Sequence, residues 1–156
     1  MLKKEIRKTY LQKRLDLSFQ DFSDQSVLIL YFFNQIKFNS ANYLLSYSPM
    51  NEKKEFDVST CEDVLIKMFP SLEIALPKTN GQLGLEARIP QHEKLFIKNN
   101  LNILEPLDGK LLDSKLIDLI FVPLISFDRH GYRVGYGKGF YDRYLRECKS
   151  DAVKIG

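Results

Sequence analysis

Leu2, Ile6 and Tyr10 recur at helical spacing with charges between them, so residues 2–15 are expected to form an amphipathic helix. Ser18, followed three residues later by Asp21, resembles a capping box and opens a second helix. That helix runs through the unbroken apolar stretch Val27–Phe33 and should end near Asn39, buried on most sides. Asn42–Tyr47 reads as a short strand stopped by the Ser48-Pro49 turn. Ser59 with Glu62 offers another capping box, opening a helix that Pro70 closes. Glu73–Leu76 and Leu83–Ile89 read as strands, and Leu101–Ser114 as a loop-rich connection containing Glu105-Pro106 and Asp108-Gly109. Leu116–Val122 is the clearest strand: apolar almost throughout, it suits the centre of a sheet covered on both faces. A loop from Leu124 to Gly139, a helix from about Phe140 to Glu147 and a strand at Val153–Ile155 complete the pattern.

Strands alternating with helices predict an α/β fold: a single domain over residues 1–156, with a largely parallel or mixed central sheet and helices on both faces. Ligands of such sheets bind beyond the carboxyl ends of the strands. The loop after Leu116–Val122 is therefore the first candidate site.

Composition narrows the function classes. With 44% hydrophobic and 28% charged residues the chain has a soluble, globular balance, which excludes disorder. A net charge of +3 is too small to argue for nucleic acid but suits small anionic ligands. Much of it lies in Lys3, Lys4, Arg7, Lys8, Lys13 and Arg14, a cluster that on charge alone reads as a solvated helix face. Cys61 and Cys148 are far apart and read as free thiols of a reducing cytosol. His92 and His130 are isolated, which argues against a zinc site or a histidine triad. The charged segment Met1–Arg14 has no apolar signal region, and Val27–Phe33 is too short to span a bilayer, so the expected location is cytoplasmic.

The loop Gly131–Asp142 reads GYRVGYGKGFYD and matches neither the Walker A spacing nor the dinucleotide fingerprint. Its physics nonetheless points to phosphate. Gly135, Gly137 and Gly139 would let the backbone turn tightly and expose its N–H groups, ahead of a helix N-terminus. Arg133 and Lys138 add cationic contacts, one bidentate and one a point charge. Asp142 follows, where a carboxylate could hold a magnesium ion on phosphates; a plain helix N-terminal charge is the alternative. Tyr132, Tyr136, Phe140 and Tyr141 leave material, beyond what the core takes, for a pocket around a flat heterocycle.

At this point a family resemblance enters. DLIFVPLISFDRHGYRVGYGKGFYDRYL, over Asp118–Leu145, closely resembles the signature segment of the 5-formyltetrahydrofolate cyclo-ligase family. Lys3-Lys4-Glu5-Ile6-Arg7, Glu55-Phe56-Asp57, Leu76-Pro77-Lys78 and Ile103-Leu104-Glu105-Pro106 resemble its other motifs in the expected order. The resemblance implies an ATP- and Mg2+-dependent ligase that converts 5-formyltetrahydrofolate to 5,10-methenyltetrahydrofolate, releasing ADP and phosphate. It implies that Lys3 and Arg7 contact ATP phosphates, with Lys4, Glu5 and Ile6 in the same binding segment. Arg133, Val134, Gly135, Tyr136, Gly137, Lys138, Gly139, Phe140 and Tyr141 would form the main ATP loop, with Lys138 and Arg133 in the catalytic role. Tyr136 through Phe140 would also face the folate, Met50 and Glu55 would contact its pterin side, and Asp142 would bind magnesium.

Two departures accompany the match. Leu124 stands where the family usually has glycine, and family members usually continue past the position of Gly156 with another strand and an acidic tail. The resemblance further implies a cytoplasmic monomer whose partners are ATP and 5-formyltetrahydrofolate, without nucleic acid or membrane. A non-catalytic nucleotide or sugar-phosphate sensor of the same architecture, or an RNA-binding module using the basic helix, are the competing readings.

Overall fold

The computed structural model describes residues 2–81, 84–91 and 95–156. In chain order the elements are α1 (Lys3–Leu15), α2 (Phe19–Phe33), β1 (Tyr43–Leu45), a 3₁₀ turn (Asn51–Lys53), α3 (Ser59–Met68), β2 (Glu73–Asn80) and β3 (Gly84–Ile89). There follow β4 (Phe96–Lys98), β5 (Leu104–Pro106), β6 (Lys110–Leu112), a second 3₁₀ turn (Ser114–Leu116), β7 (Leu119–Phe121), β8 (Ser126–Phe127), β9 (Arg133–Val134), α4 (Phe140–Tyr144) and β10 (Val153–Ile155).

The central sheet is mixed, as expected, in the order β10-β7-β1-β2-β3-β6. Its first four strands run parallel, and β3 and β6 add antiparallel. Because successive strand residues point to opposite faces, β1 and β7 divide their side chains between two cores. Leu45 and Ile120 face Ala75, Ala87 and Tyr144 of α4. Leu44, Leu119 and Phe121 face Phe33 of α2 and Cys61 and Leu65 of α3. Helices thus cover both faces, and the apolar β7 sits between them.

Asp118 ties the amino ends of three strands together. Its carboxylate accepts the Asn42 and Tyr43 amides at 2.7 and 3.0 Å and an ammonium hydrogen bond from Lys149. Burial alone would raise this carboxyl's pKa, but the Lys149 and amide hydrogen bonds prevail and hold it below the usual range.

Several sequence expectations shift. The largest concerns α2: the helix ends at Phe33, and Phe33 alone is buried. Val27, Leu28, Ile29, Tyr31 and Phe32 are exposed, because only one edge of the apolar run meets the sheet. Ser18 does cap it, accepting the Asp21 amide at 3.0 Å. The second capping box does not form. Asp57 meets the Ser59 amide at 3.0 Å, while Glu62 accepts a hydrogen bond from buried Ser46, with burial raising the Glu62 pKa.

Other boundaries move because pairing partners decide them. Leu116–Val122 contracts to β7, β2 extends to Asn80, and the connection 101–114 contains β5 and β6. The loop after Leu124 holds the β8–β9 ribbon, and α4 is shorter than expected, stopping at Tyr144. The strand expected from Leu83 begins at Gly84; Leu83 and His92 lie outside the described residues. Both cysteines are free, and burial pushes the Cys61 thiol up to about 11.

Candidate active site

Beyond the carboxyl ends of β1 and β7 the chain encloses a cleft of 340 Å³. It has four main walls. Helix α1 contributes Lys3 and Arg7, and the segment after β1 contributes Tyr47, Met50, Lys53 and Glu55. Pro77 and Thr79 of β2 with Glu105 of β5 form a third wall, and Arg133–Asp142 the fourth.

The glycine loop takes its path for identifiable reasons. Gly137 and Gly139 adopt φ of +94° and +71°, the left-handed region that disfavours side chains. A Cβ at Gly137 would lie 3.0 Å from the Arg7 guanidinium carbon, and one at Gly139 2.9 Å from an Arg143 nitrogen. Gly135 is under no such constraint, since its nearest Cβ neighbour would be the Pro123 carbonyl at an ordinary 3.8 Å. The Arg7 Nε donates to the Gly135 carbonyl at 2.9 Å, and Arg143 donates to the Lys138 carbonyl at 3.0 Å. Cations from two helices therefore fix a loop that carries a third, the exposed Lys138.

Arg133 and Asp142, expected to meet a phosphate and a metal, pair with each other at 2.8 Å. The Asp142 side chain stays 71% exposed, so it can exchange Arg133 for an incoming cation. Among the described residues no three carboxylate, histidine or cysteine side chains cluster as a metal site. One exposed carboxylate beside the loop cations is a donor set that suits magnesium, which takes one or two protein carboxylates and completes its shell with other oxygen ligands.

Against the same loop stands Glu55, a cleft carboxylate only 5% exposed. One oxygen accepts the Met50 amide at 2.7 Å; the other accepts the Tyr136 hydroxyl. Burial, then the charge of Glu55, drives the Tyr136 hydroxyl far above its ordinary pKa, so it remains a proton donor. Each carboxylate oxygen retains acceptor capacity for a ligand.

The structure thus brings Lys3, Arg7, Met50, Glu55 and Arg133–Asp142 together. Lys4, Glu5 and Ile6 stay out of the lining: Glu5 instead accepts the Leu2 amide at 2.9 Å and caps α1. Sequence reasoning left several wall residues without a role. Glu105, buried and accepting from the Thr79 amide at 2.9 Å and Asn99 at 2.7 Å, locks β5 against β2. Its family motif was visible, but not which wall it would brace. Tyr47 and Lys53 carried no local signal at all.

Fold and cleft define an α/β protein whose cleft is lined by a cationic, glycine-bent loop and a buried carboxylate. The description of the 5-formyltetrahydrofolate cyclo-ligase family matches residues 1–155, and the chain belongs to that family. A 5-formyltetrahydrofolate cyclo-ligase of Mycoplasma genitalium is 38% identical over 44% of this chain and 36% of its own length. That of Escherichia coli K12 is 39% identical over 48% of this chain and 41% of its own. The matched stretches span less than half of these curated relatives. Among solved structures, the Aquifex aeolicus 5,10-methenyltetrahydrofolate synthetase superposes with a TM-score of 0.76 at 29% identity, covering 100% of this chain and 82% of that one. A Mycoplasma pneumoniae 5,10-methenyltetrahydrofolate synthetase shares the fold, with a TM-score of 0.69 at 24% identity, over 96% of this chain and 80% of that one.

Proposed function

We propose that this protein, as a single cyclo-ligase domain over residues 1–156, converts 5-formyltetrahydrofolate to 5,10-methenyltetrahydrofolate at the expense of ATP. The observation that carries the proposal is one cleft lined by two chemically distinct sets of groups, cations and bent backbone in the first and a buried carboxylate in the second. A ligand pair consisting of a polyphosphate and an amino-pyrimidine ring matches that division.

Lys3, Arg7 and the loop backbone hold the phosphates, and Lys138 lies on the loop that would present the γ-phosphoryl group. Glu55 accepts N–H groups of the pterin edge, with Met50 and Tyr136 against the ring. The formyl oxygen attacks the γ-phosphorus and the bond to ADP breaks, which turns a poor leaving oxygen into phosphate. The neighbouring secondary amine of the folate then forms its bond to the activated carbon and releases its N–H proton to solvent, and phosphate departs as the C–O bond breaks. Positioning and charge screening are the protein's main contributions. Magnesium, held at Asp142 and on the phosphates, would supply further screening of negative charge. The protein is proposed to act as a cytoplasmic monomer; among the described residues no helix is long and apolar enough to cross a membrane.

The deciding assay follows methenyltetrahydrofolate absorbance with ATP and Mg2+ present or individually withheld. Product should accumulate only when both are present. ATP binding without product formation would instead favour a nucleotide sensor and overturn the proposal.

A further inference from the structure

Arg14, in the last turn of α1, does not line the cleft, yet its guanidinium reaches the hydroxyl that holds Glu55. Its Nη2 donates to the Tyr136 oxygen at 2.6 Å, and its Nη1 to the Leu124 carbonyl at 3.3 Å. The guanidinium carbon lies 5.9 Å from the centroid of the Tyr136 ring, and the Lys53 ammonium lies 4.7 Å from it. The Arg14 Nε is buried and has no acceptor among the described residues. Arg14 is therefore placed for its contacts with Tyr136 and Leu124 at the cost of one unmet donor.

The direction of these bonds matters. A guanidinium only donates, and a tyrosine hydroxyl has one proton and two lone pairs. With Arg14 filling a lone pair, the Tyr136 proton is directed at Glu55. One Glu55 oxygen is then engaged by Tyr136 and the other by the Met50 amide, leaving acceptor capacity on both. That suits a ligand edge with two N–H donors. Without Arg14 the Tyr136 oxygen loses the bond that holds it from the other side, and its hydrogen bond to Glu55 is less firmly positioned.

We infer that Arg14 is a positioning residue for folate recognition, acting through Tyr136 to aim Glu55 at the pterin edge. The inference rests on the folate reading of the cleft. It assigns Arg14 to folate recognition, although Arg7, two turns earlier on the same helix, holds the neighbouring Gly135 carbonyl of the same loop.

Arg14→Met, Tyr136→Phe and the double variant test it, with Michaelis constants for both substrates. Each single change should raise the constant for 5-formyltetrahydrofolate roughly tenfold, the scale of one charge-assisted hydrogen bond. In Arg14→Met the ATP constant and the turnover number should stay within about twofold, and the double variant should be no worse than Tyr136→Phe alone. An unchanged folate constant, a parallel loss of ATP affinity, or multiplying losses in the double variant would each overturn the inference. A second readout works without folate. The ¹³Cζ resonance of Tyr136 should move in Arg14→Met, and an unmoved resonance likewise overturns the proposal. Should the unaltered protein fail to bind folate while that resonance moves, the Arg14–Tyr136 link stands and the folate reading fails.

Discussion

Helices α1 and α2 reverse what their sequences suggest. α1 is polar and buries no residue, yet it is bound to the cleft at three points. Arg7 holds the Gly135 carbonyl, Arg14 holds Tyr136, and Lys54 donates to the carbonyls of Leu15 and Leu17. α2 carries the longest apolar run in the chain, yet it meets the core chiefly through Phe33 and leaves an apolar groove of 640 Å³ beside Phe32, Leu124 and Phe127. Burial of apolar area drives folding without directing it to a ligand. Directional bonds from long cationic side chains to backbone oxygens fix a helix relative to a site, and α1 is attached in that way.

The largest expected effect lies on α2. Phe33 is 5% exposed and packs edge-on against Phe121, with ring centroids 5.8 Å apart. Phe33→Ala should cost about 3–5 kcal/mol in denaturant unfolding. Its neighbour Phe32 is 65% exposed, so Phe32→Ala should stay within about 0.5 kcal/mol. Neither should alter the folate Michaelis constant of the folded protein. Equal losses from the two substitutions would mean that α2 is buried all round after all, and the contrast with α1 would collapse.

On the α1 side the expected cost falls on turnover. Lys138 is exposed on the loop that Arg7 and Arg143 secure. A cation there helps most while charge moves onto the transferred phosphoryl group. Lys138→Met should lower turnover by roughly two to three orders of magnitude, the scale of one lost electrostatic contact. Its melting temperature and calorimetric ATP affinity should change little. Near-normal turnover would return Lys138 to the role of a solvated surface charge.

How much of this could be read in advance depends on whether the determinant is local. The Ser18 cap, the middle of the apolar strand at β7 and the turns at Gly137 and Gly139 are local, and each falls within the stretch the sequence marks. The mixed sheet follows from alternating elements. Burial of α2 was not legible, because hydrophobicity does not say which side of a helix finds a partner. At the cleft, Lys3, Arg7, Met50 and Glu55 came from family motifs, whereas Arg14 looked like one more charge in a basic cluster. Its hydrogen bond to Tyr136 spans 122 positions of sequence, and no periodicity encodes such a meeting. The Arg133–Asp142 pair shows the same limit: both residues were singled out, but for different ligands.

A modest stability effect bears on how α1 is held. Lys54 has a φ of +47°, which an L side chain adopts at a cost of roughly 1–2 kcal/mol. Its ammonium donates to the Leu15 and Leu17 carbonyls at 2.7 and 2.6 Å, at the negative end of α1. Lys54→Gly removes the strain together with the cap, so the two changes should nearly offset, leaving stability within about 1 kcal/mol of the original. Lys54→Met removes the cap and keeps the strain, and should be less stable than the glycine variant by about 1–2 kcal/mol. Glu55 follows Lys54 directly, so both variants should raise the folate Michaelis constant by a similar factor, despite their different stabilities. If the two variants were equally stable, the backbone at residue 54 would carry no strain. If both retained the original folate constant, α1 would owe its place at the cleft to Arg7 and Arg14 alone.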